Sequence, residues 1–84
     1  MNDTIKLRPI SSIAYEIKKE WGSKTNFAAR PYLSAMLGLN SLSDSYGFDS
    51  GRSVVLYFLG NASGFRGEKA KQLKAELKLH LKNS

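Results

Sequence analysis

The chain has no cysteine, a single histidine and two prolines, and each scarcity removes a class of protein. Without cysteine there are no disulfides and no thiolate metal sites, so 84 residues must be held by an apolar core alone. A secreted mini-domain of this size normally depends on such staples, so a reducing cytoplasm is the expected setting. His80 has neither cysteine nor clustered carboxylates at motif spacing, which excludes a zinc site or a Ser-His-Asp triad on sequence grounds. It reads as a half-exposed residue near the end of a helix. No apolar run approaches the ~20 residues of a membrane span. The opening Met1-Asn2-Asp3-Thr4 lacks the charged and apolar regions of a signal peptide. No catalytic, cofactor-binding or metal-ligating residue is expected, and no membrane partner.

What the chain does have is apolar surface and positive charge. A hydrophobic share of 42%, with four Phe, four Tyr and one Trp, suffices for one core and is too much for a disordered segment. A single domain over 1–84 is expected, with 1–9 as an N-terminal arm ending at Arg8-Pro9, where proline disfavours helix in the residue before it. Thirteen Lys and Arg against seven Asp and Glu leave a net charge of +6. Residues 61–84 carry six of the basic groups and two of the acidic ones. A basic chain attracts nucleic acid, anionic lipid or acidic protein through its long-range field, and it also stays soluble that way.

Periodicity predicts an all-α domain, a small bundle of about four helices with an ordered central loop. Ile10, Ile13, Ala14, Ile17 and Trp21 fall on one stripe of a first helix, from Ser11 or Ser12 to Trp21, with Ser11 as N-cap and Gly22 as stop. A second helix is expected over Phe27 to Leu39, regular only from about Pro31, because proline is tolerated in a first turn and not in a helix interior. Residues 40–51 are turn chemistry, with Leu42, Tyr46 and Phe48 available to pin the loop. Val54 to Leu59 suits either a buried strand or a helix. Helix is favoured, because a lone strand would leave its backbone groups unpaired and only the short Thr4–Leu7 segment could partner it. Asp49 or Ser50 is expected to cap the start of this third helix, with Asp49 preferred. Arg66 to Lys82 forms the fourth, with Ser63 as N-cap and Ala70, Leu73, Leu77 and Leu81 as its buried stripe.

Four features are candidate sites. Lys71, Lys74, Lys78 and Lys82 form a basic stripe beside the buried leucines, the usual footprint of phosphate contacts and equally that of a solvated face. All are expected to project into water, with Glu68 and Glu76 diluting their field. Asn61-Ala-Ser-Gly-Phe-Arg-Gly67 resembles an anion cradle in which Arg66 would take part, although a tight helix–helix turn anchored by Phe65 accounts for the same residues. Asp44 and Asp49 sit among Ser and Gly, where aspartate makes turns and caps more often than it does acid–base work. Leu79 on the outer face, Tyr15, and the loop from Tyr46 to Asp49 are candidates for contact with a protein partner. The arm residues Lys6 and Arg8 are further candidates for an acidic ligand.

Residues 46–77 contain Tyr-Gly-Phe-Asp-Ser-Gly, then Val-Val-Leu-Tyr-Phe-Leu-Gly-Asn-Ala, then Phe-Arg-Gly, and finally Lys-Ala-Glu-Leu at 74–77. The pattern resembles a small family of short proteins carried by phages, prophages and other mobile elements. Members tend to share a Tyr-Gly-x-Asp-Ser block, a Tyr-Phe-Leu-x-Asn-Ala block and an aromatic-Arg-Gly before a Lys-Ala-Glu-Leu helix. Ile13 through Trp21 to Pro31-Tyr32-Leu33 also fits, so the resemblance spans most of the chain. Relatives often have Trp where Phe65 stands. The resemblance implies no catalytic role or ligand. It implies an accessory protein of a mobile element, a class that often acts by binding host machinery or nucleoprotein complexes.

The expected function is therefore a non-enzymatic binding module that engages nucleic acid, or a host complex handling it, through a basic helix face. The rival is a protein–protein module, either an inhibitor of a host defence protein or a self-associating structural component. Salt dependence separates the two, because only the first is dominated by phosphate contacts.

Overall fold

The apolar residues recurring every three or four positions near the N-terminus form helix α1 (Ile10–Trp21), and Ile10, Ile13, Ala14, Ile17 and Trp21 are all buried. The computed structural model describes residues 7–46 and 49–82. Expectations for residues 1–6, for Phe48 and for the side chains of Tyr46 and Asp49 lie outside the described residues. After α1 come a 3-10 turn (Gly22–Lys24), α2 (Arg30–Met36), a minimal hairpin of β1 (Ser45–Tyr46) and β2 (Asp49–Ser50), α3 (Gly51–Gly60) and α4 (Glu68–Lys82). The fold is a small all-α bundle. Helix α1 packs on α4 and α2, and α3 packs on α2 and more lightly on α4.

The start of α1 differs from the expectation of a serine cap. The helix begins at Ile10 with Pro9 in the N-cap position, and no side chain caps it. Its free donors are satisfied by tertiary partners instead. Ile10 N donates to the Asn40 carbonyl (3.0 Å) and Ser11 N to the Leu39 carbonyl (2.7 Å). The chain leaving α2 thus supplies the acceptors that an N-cap side chain would otherwise provide. The other end behaves as its glycine predicts. Gly22 adopts φ 53°, a left-handed conformation that L side chains resist, and its N–H donates to the Lys18 carbonyl.

Helix α2 is shorter than its apolar pattern suggests. Phe27 to Ala29 form a turn, in which Asn26 Oδ1 accepts from Ala28 N at 3.1 Å, and Pro31 occupies the first helical turn. Ala29, Leu33, Ala35, Met36 and Leu39 are buried, whereas Tyr32 and Leu37 are only partly so. The central loop is pinned by Leu42, and Asp44 Oδ2 accepts from Asn40 N (2.8 Å) and Ser41 N (3.4 Å). Asp44 is therefore a turn-forming acid.

The ambiguous apolar run Val54–Leu59 is helical. Ser50 caps α3, accepting from Ser53 N at 3.1 Å. At the other junction Ser63 does not cap α4. The helix starts two residues later than expected, at Glu68, because Gly67 takes φ 111° and the backbone cannot run helically through it. The Gly67 carbonyl accepts from Lys71 N at 2.9 Å, and Glu68 lies in the first turn, where a negative charge suits the helix dipole.

Gly51, the first residue of α3, is the tightest junction in the fold. It is buried, and its N–H donates to the Asp44 carbonyl at 2.7 Å. A Cβ there would lie 2.9 Å from each of the Ser41, Leu42 and Asp44 carbonyl oxygens. All three are backbone atoms that cannot swing aside. Gly51→Ala is accordingly expected to destabilise the protein by about 1–3 kcal/mol, the usual cost of overpacking, although alanine has the higher helix propensity. Urea denaturation of the two forms checks this; unchanged or raised stability would show that the loop over Gly51 moves freely.

Candidate functional site

The buried stripe of α4 determines where its lysines go. Ala70, Leu73 and Leu77 are within 1% of complete burial. At about 100° per residue, Lys71, Lys74, Lys78 and Lys82 share one flank of the helix. Glu76 lies two residues from both Lys74 and Lys78, and so about 200° round from either. The two charges that look mixed in sequence are segregated in space.

The opposite flank binds α4 to the arm and α1. Arg8 Nε and Nη2 donate to the two carboxylate oxygens of Glu76 (2.7 and 2.6 Å), while Nη1 donates to Glu16. Lys69 Nζ completes the cluster 3.1 Å from Glu16. These hydrogen bonds raise the Arg8 guanidinium pKa, Glu76 contributing most, and those from Arg8 and then Lys69 lower that of Glu16. His80 is buried at 6% exposure rather than half-exposed, and its Nε2 lies 2.7 Å from the Arg8 carbonyl oxygen. It is a tether for the arm. Arg8, a candidate contact for an external anion, is instead occupied inside the molecule.

On the lysine flank a groove of about 500 Å³ runs along α4, lined by Phe65, Arg66, Gly67, Lys71, Lys74, Ala75 and Lys78. None of these lining residues is acidic. The expected dilution by Glu76 does not operate here, since that carboxylate is on the far flank and engaged by Arg8. Phe65 forms the base of the groove at 3% exposure and stacks on Trp21, with ring centroids 5.0 Å apart and planes 19° from parallel. The turn-anchor role expected of Phe65 is met, and the ring also backs the cationic groups.

The four stripe lysines are not equivalent. Lys71 and Lys78 are exposed members of the groove, and Lys82 is exposed but lies outside the lining. Lys74 is half-buried, contrary to the expectation that it points to water. Its Nζ donates to the Ala62 carbonyl at 2.8 Å and sits 5.8 Å from the centre of the Phe65 ring. Burial lowers its pKa, and the like charges of Lys78 and Arg66 lower it further. Arg66 closes the end of the groove, its Nε donating to the Ser63 carbonyl at 3.3 Å. What sequence reasoning missed is this inward turn of Lys74, although helix geometry hints at it: four residues after Ala70 and three before Leu77, it is the stripe lysine nearest the buried face.

The residues proposed for a protein partner do not gather into one place. Leu79 is half-buried on α4 and is not part of the groove, so it is no exposed leucine. Tyr46 and Asp49 face each other across the hairpin by backbone pairing, in register with Ser45 and Ser50. Tyr15 is 59% exposed on α1 with Lys19 Nζ 5.6 Å from its ring centre. Among the described residues Phe27 and Tyr57 are also exposed aromatics, which the sequence did not single out. Among the described residues no helix is long and apolar enough to cross a membrane, and no group of three or more His, Cys, Asp or Glu could hold a metal ion.

Comparison with protein-family models, with curated proteins and with solved structures finds no match. The groove's own chemistry is therefore the ground for a function. It offers clustered cations over a rigid apolar base, an arrangement suited to a polyanion and lacking a paired acid and base or an activated nucleophile.

The Arg8 cluster sets a pH dependence. The Glu16 carboxyl is held below its ordinary value by Arg8 and then Lys69. That stabilisation is complete above the unfolded pKa of about 4.3 and is lost as pH falls through the lower folded value. Arg8→Met is expected to lower stability at pH 7 and to reduce the acid-induced loss between pH 7 and about pH 3. Chemical denaturation of both proteins at the two pH values measures it. Parallel losses in the two proteins would mean that Glu16 is not coupled to Arg8.

Proposed function

We propose that this chain is a non-enzymatic nucleic-acid-binding module of a phage or other mobile element, acting in the cytoplasm. The observation that carries the proposal is the groove on α4, where Arg66, Lys71, Lys74 and Lys78 converge with no acidic residue in the lining. Phosphates are the polyanion most often met by such a surface, and each one neutralised releases condensed counterions. The mobile-element assignment rests on the sequence pattern from Tyr46 to Leu77, and the cytoplasmic one on the absence of cysteine. A protein–protein module is the second reading, and the exposed Phe27, Leu56 and Tyr57 favour it.

Fluorescence anisotropy with labelled DNA, repeated across a salt series, tests the first reading. Three or four phosphate contacts would give a slope of log affinity on log salt of about −3 to −4 on duplex, at about −0.9 per contact. The double variant Lys71→Glu/Lys78→Glu is expected to remove binding while keeping its far-ultraviolet spectrum, since both side chains are exposed. Lys74→Glu is the wrong variant, because it also strips the Ala62 carbonyl of its partner. No binding by the unaltered protein at tens of micromolar and low salt would leave the protein-partner reading in its place.

A further inference from the structure

We propose that the groove takes single-stranded nucleic acid in preference to duplex, with bases stacking on Phe27 and Tyr57 while the phosphates follow the α4 lysines. The proposal deepens the nucleic-acid reading and rests on it. Phe27 is 85% exposed, in the turn that leads into α2, and Tyr57 is 54% exposed on α3. Large rings left in water need a reason, and the backbone that carries these two is tied to the turn that borders the cationic groove.

The connection runs through two consecutive carbonyls. The Asn61 carbonyl accepts from Asn26 Nδ2 at 3.3 Å, which places the residue before Phe27 against the end of α3. The next carbonyl, that of Ala62, accepts at 2.8 Å from Nζ of Lys74, a residue of the groove. Asn61 also reaches back to α3, its Nδ2 donating to the Tyr57 carbonyl at 2.9 Å. Asn61 and Ala62 therefore link the backbone at Asn26–Phe27 and at Tyr57 to a groove lysine. Tyr57 is braced by Tyr32, whose ring centre is 5.4 Å away at 42°. A braced ring loses little freedom when a base lies on it.

Charge alone does not discriminate between nucleic acids, since both duplex and single strand present phosphates. The rings do. Bases in a duplex are already stacked and paired, and a duplex on the lysine flank would leave Phe27 and Tyr57 in water. A single strand can splay its bases onto aromatic faces while its backbone tracks a basic groove, and it does so with little regard to sequence. Phe65 cannot serve as a stacking ring, because it is buried beneath the lysines.

The test is anisotropy at low salt with labelled oligothymidine of about 12 nucleotides and a duplex of the same length, within the usual site size of such modules. The unaltered protein is expected to bind the single strand about tenfold or more tightly over the duplex. Phe27→Ala should weaken the single strand about five- to tenfold, a typical cost of losing one stacked base, and leave the duplex affinity unchanged. Phe27→Trp should restore it. Equal affinities for the two forms, or Phe27→Ala without effect, would overturn the proposal. If Lys71→Glu/Lys78→Glu abolished binding in that case, the basic-groove reading would stand without it. Binding of neither form overturns both. Sedimentation on the same samples adds one more overturning result, a dimer that Phe27→Ala dissociates, which would show the ring covered by a second copy.

Discussion

Burial of the Ala70–Leu73–Leu77 stripe fixes the rotation of α4, and the placement of that helix's charged residues follows from it. A helix of this composition has charged residues on most of its surface, so docking one face sorts the rest into two flanks. One flank meets the arm and α1, and the other meets the turn from α3. Glu76 falls on the first and the lysines on the second. Arg8 then completes the separation by engaging Glu76 with two hydrogen bonds and Glu16 with a third. Such partly exposed ion pairs contribute only modestly to stability. Their greater effect here is electrostatic. Glu76 of α4 and Glu16 of α1 are engaged inside the fold, and the groove on the other flank is lined by no carboxylate.

How much of this was legible in the sequence depended on whether the cause was local. The α1 stripe from Ile10 to Trp21 and the α4 stripe from Ala70 to Leu77 repeat at helical spacing and are buried as their pattern requires. Gly22 and Pro31 act on their own backbone, and both stand where they were expected to. The misjudged helix starts share a different cause. Ser11 was expected to cap α1, but the Leu39 and Asn40 carbonyls do that work from across the fold. Ser63 was expected to cap α4, but the positive φ of Gly67 moves the start. Neither a remote carbonyl nor a backbone angle is written in the spacing of side-chain types.

The candidate site divides in the same way. That the lysines share a face is a consequence of helix geometry alone, and Lys71 and Lys78 meet it. Lys74 departs because the Ala62 carbonyl lies within its reach, at a place set by how α3 ends. His80 departs because its ring meets the Arg8 carbonyl, and Leu79 is half-buried rather than exposed. Phe27 gave no signal at all. A phenylalanine in a helix lead-in ordinarily anchors that helix, and only the folded chain shows this one left in solvent.

Lys74 joins the structural and electrostatic halves of the molecule. Its ammonium satisfies a carbonyl at the α3–α4 turn while standing over the Phe65 ring, which in turn stacks on Trp21 from the core. Burial and the neighbouring charges of Lys78 and Arg66 both disfavour its protonated form. If the proposed phosphate enters the groove, its negative charge would offset the unfavourable surroundings of the ammonium and raise the Lys74 pKa toward its ordinary value. Anion binding and protonation of Lys74 would then favour one another, and affinity would fall as the ammonium titrates. On the proposed reading, the residue that ties the turn together also couples the fold to the charge of what it binds.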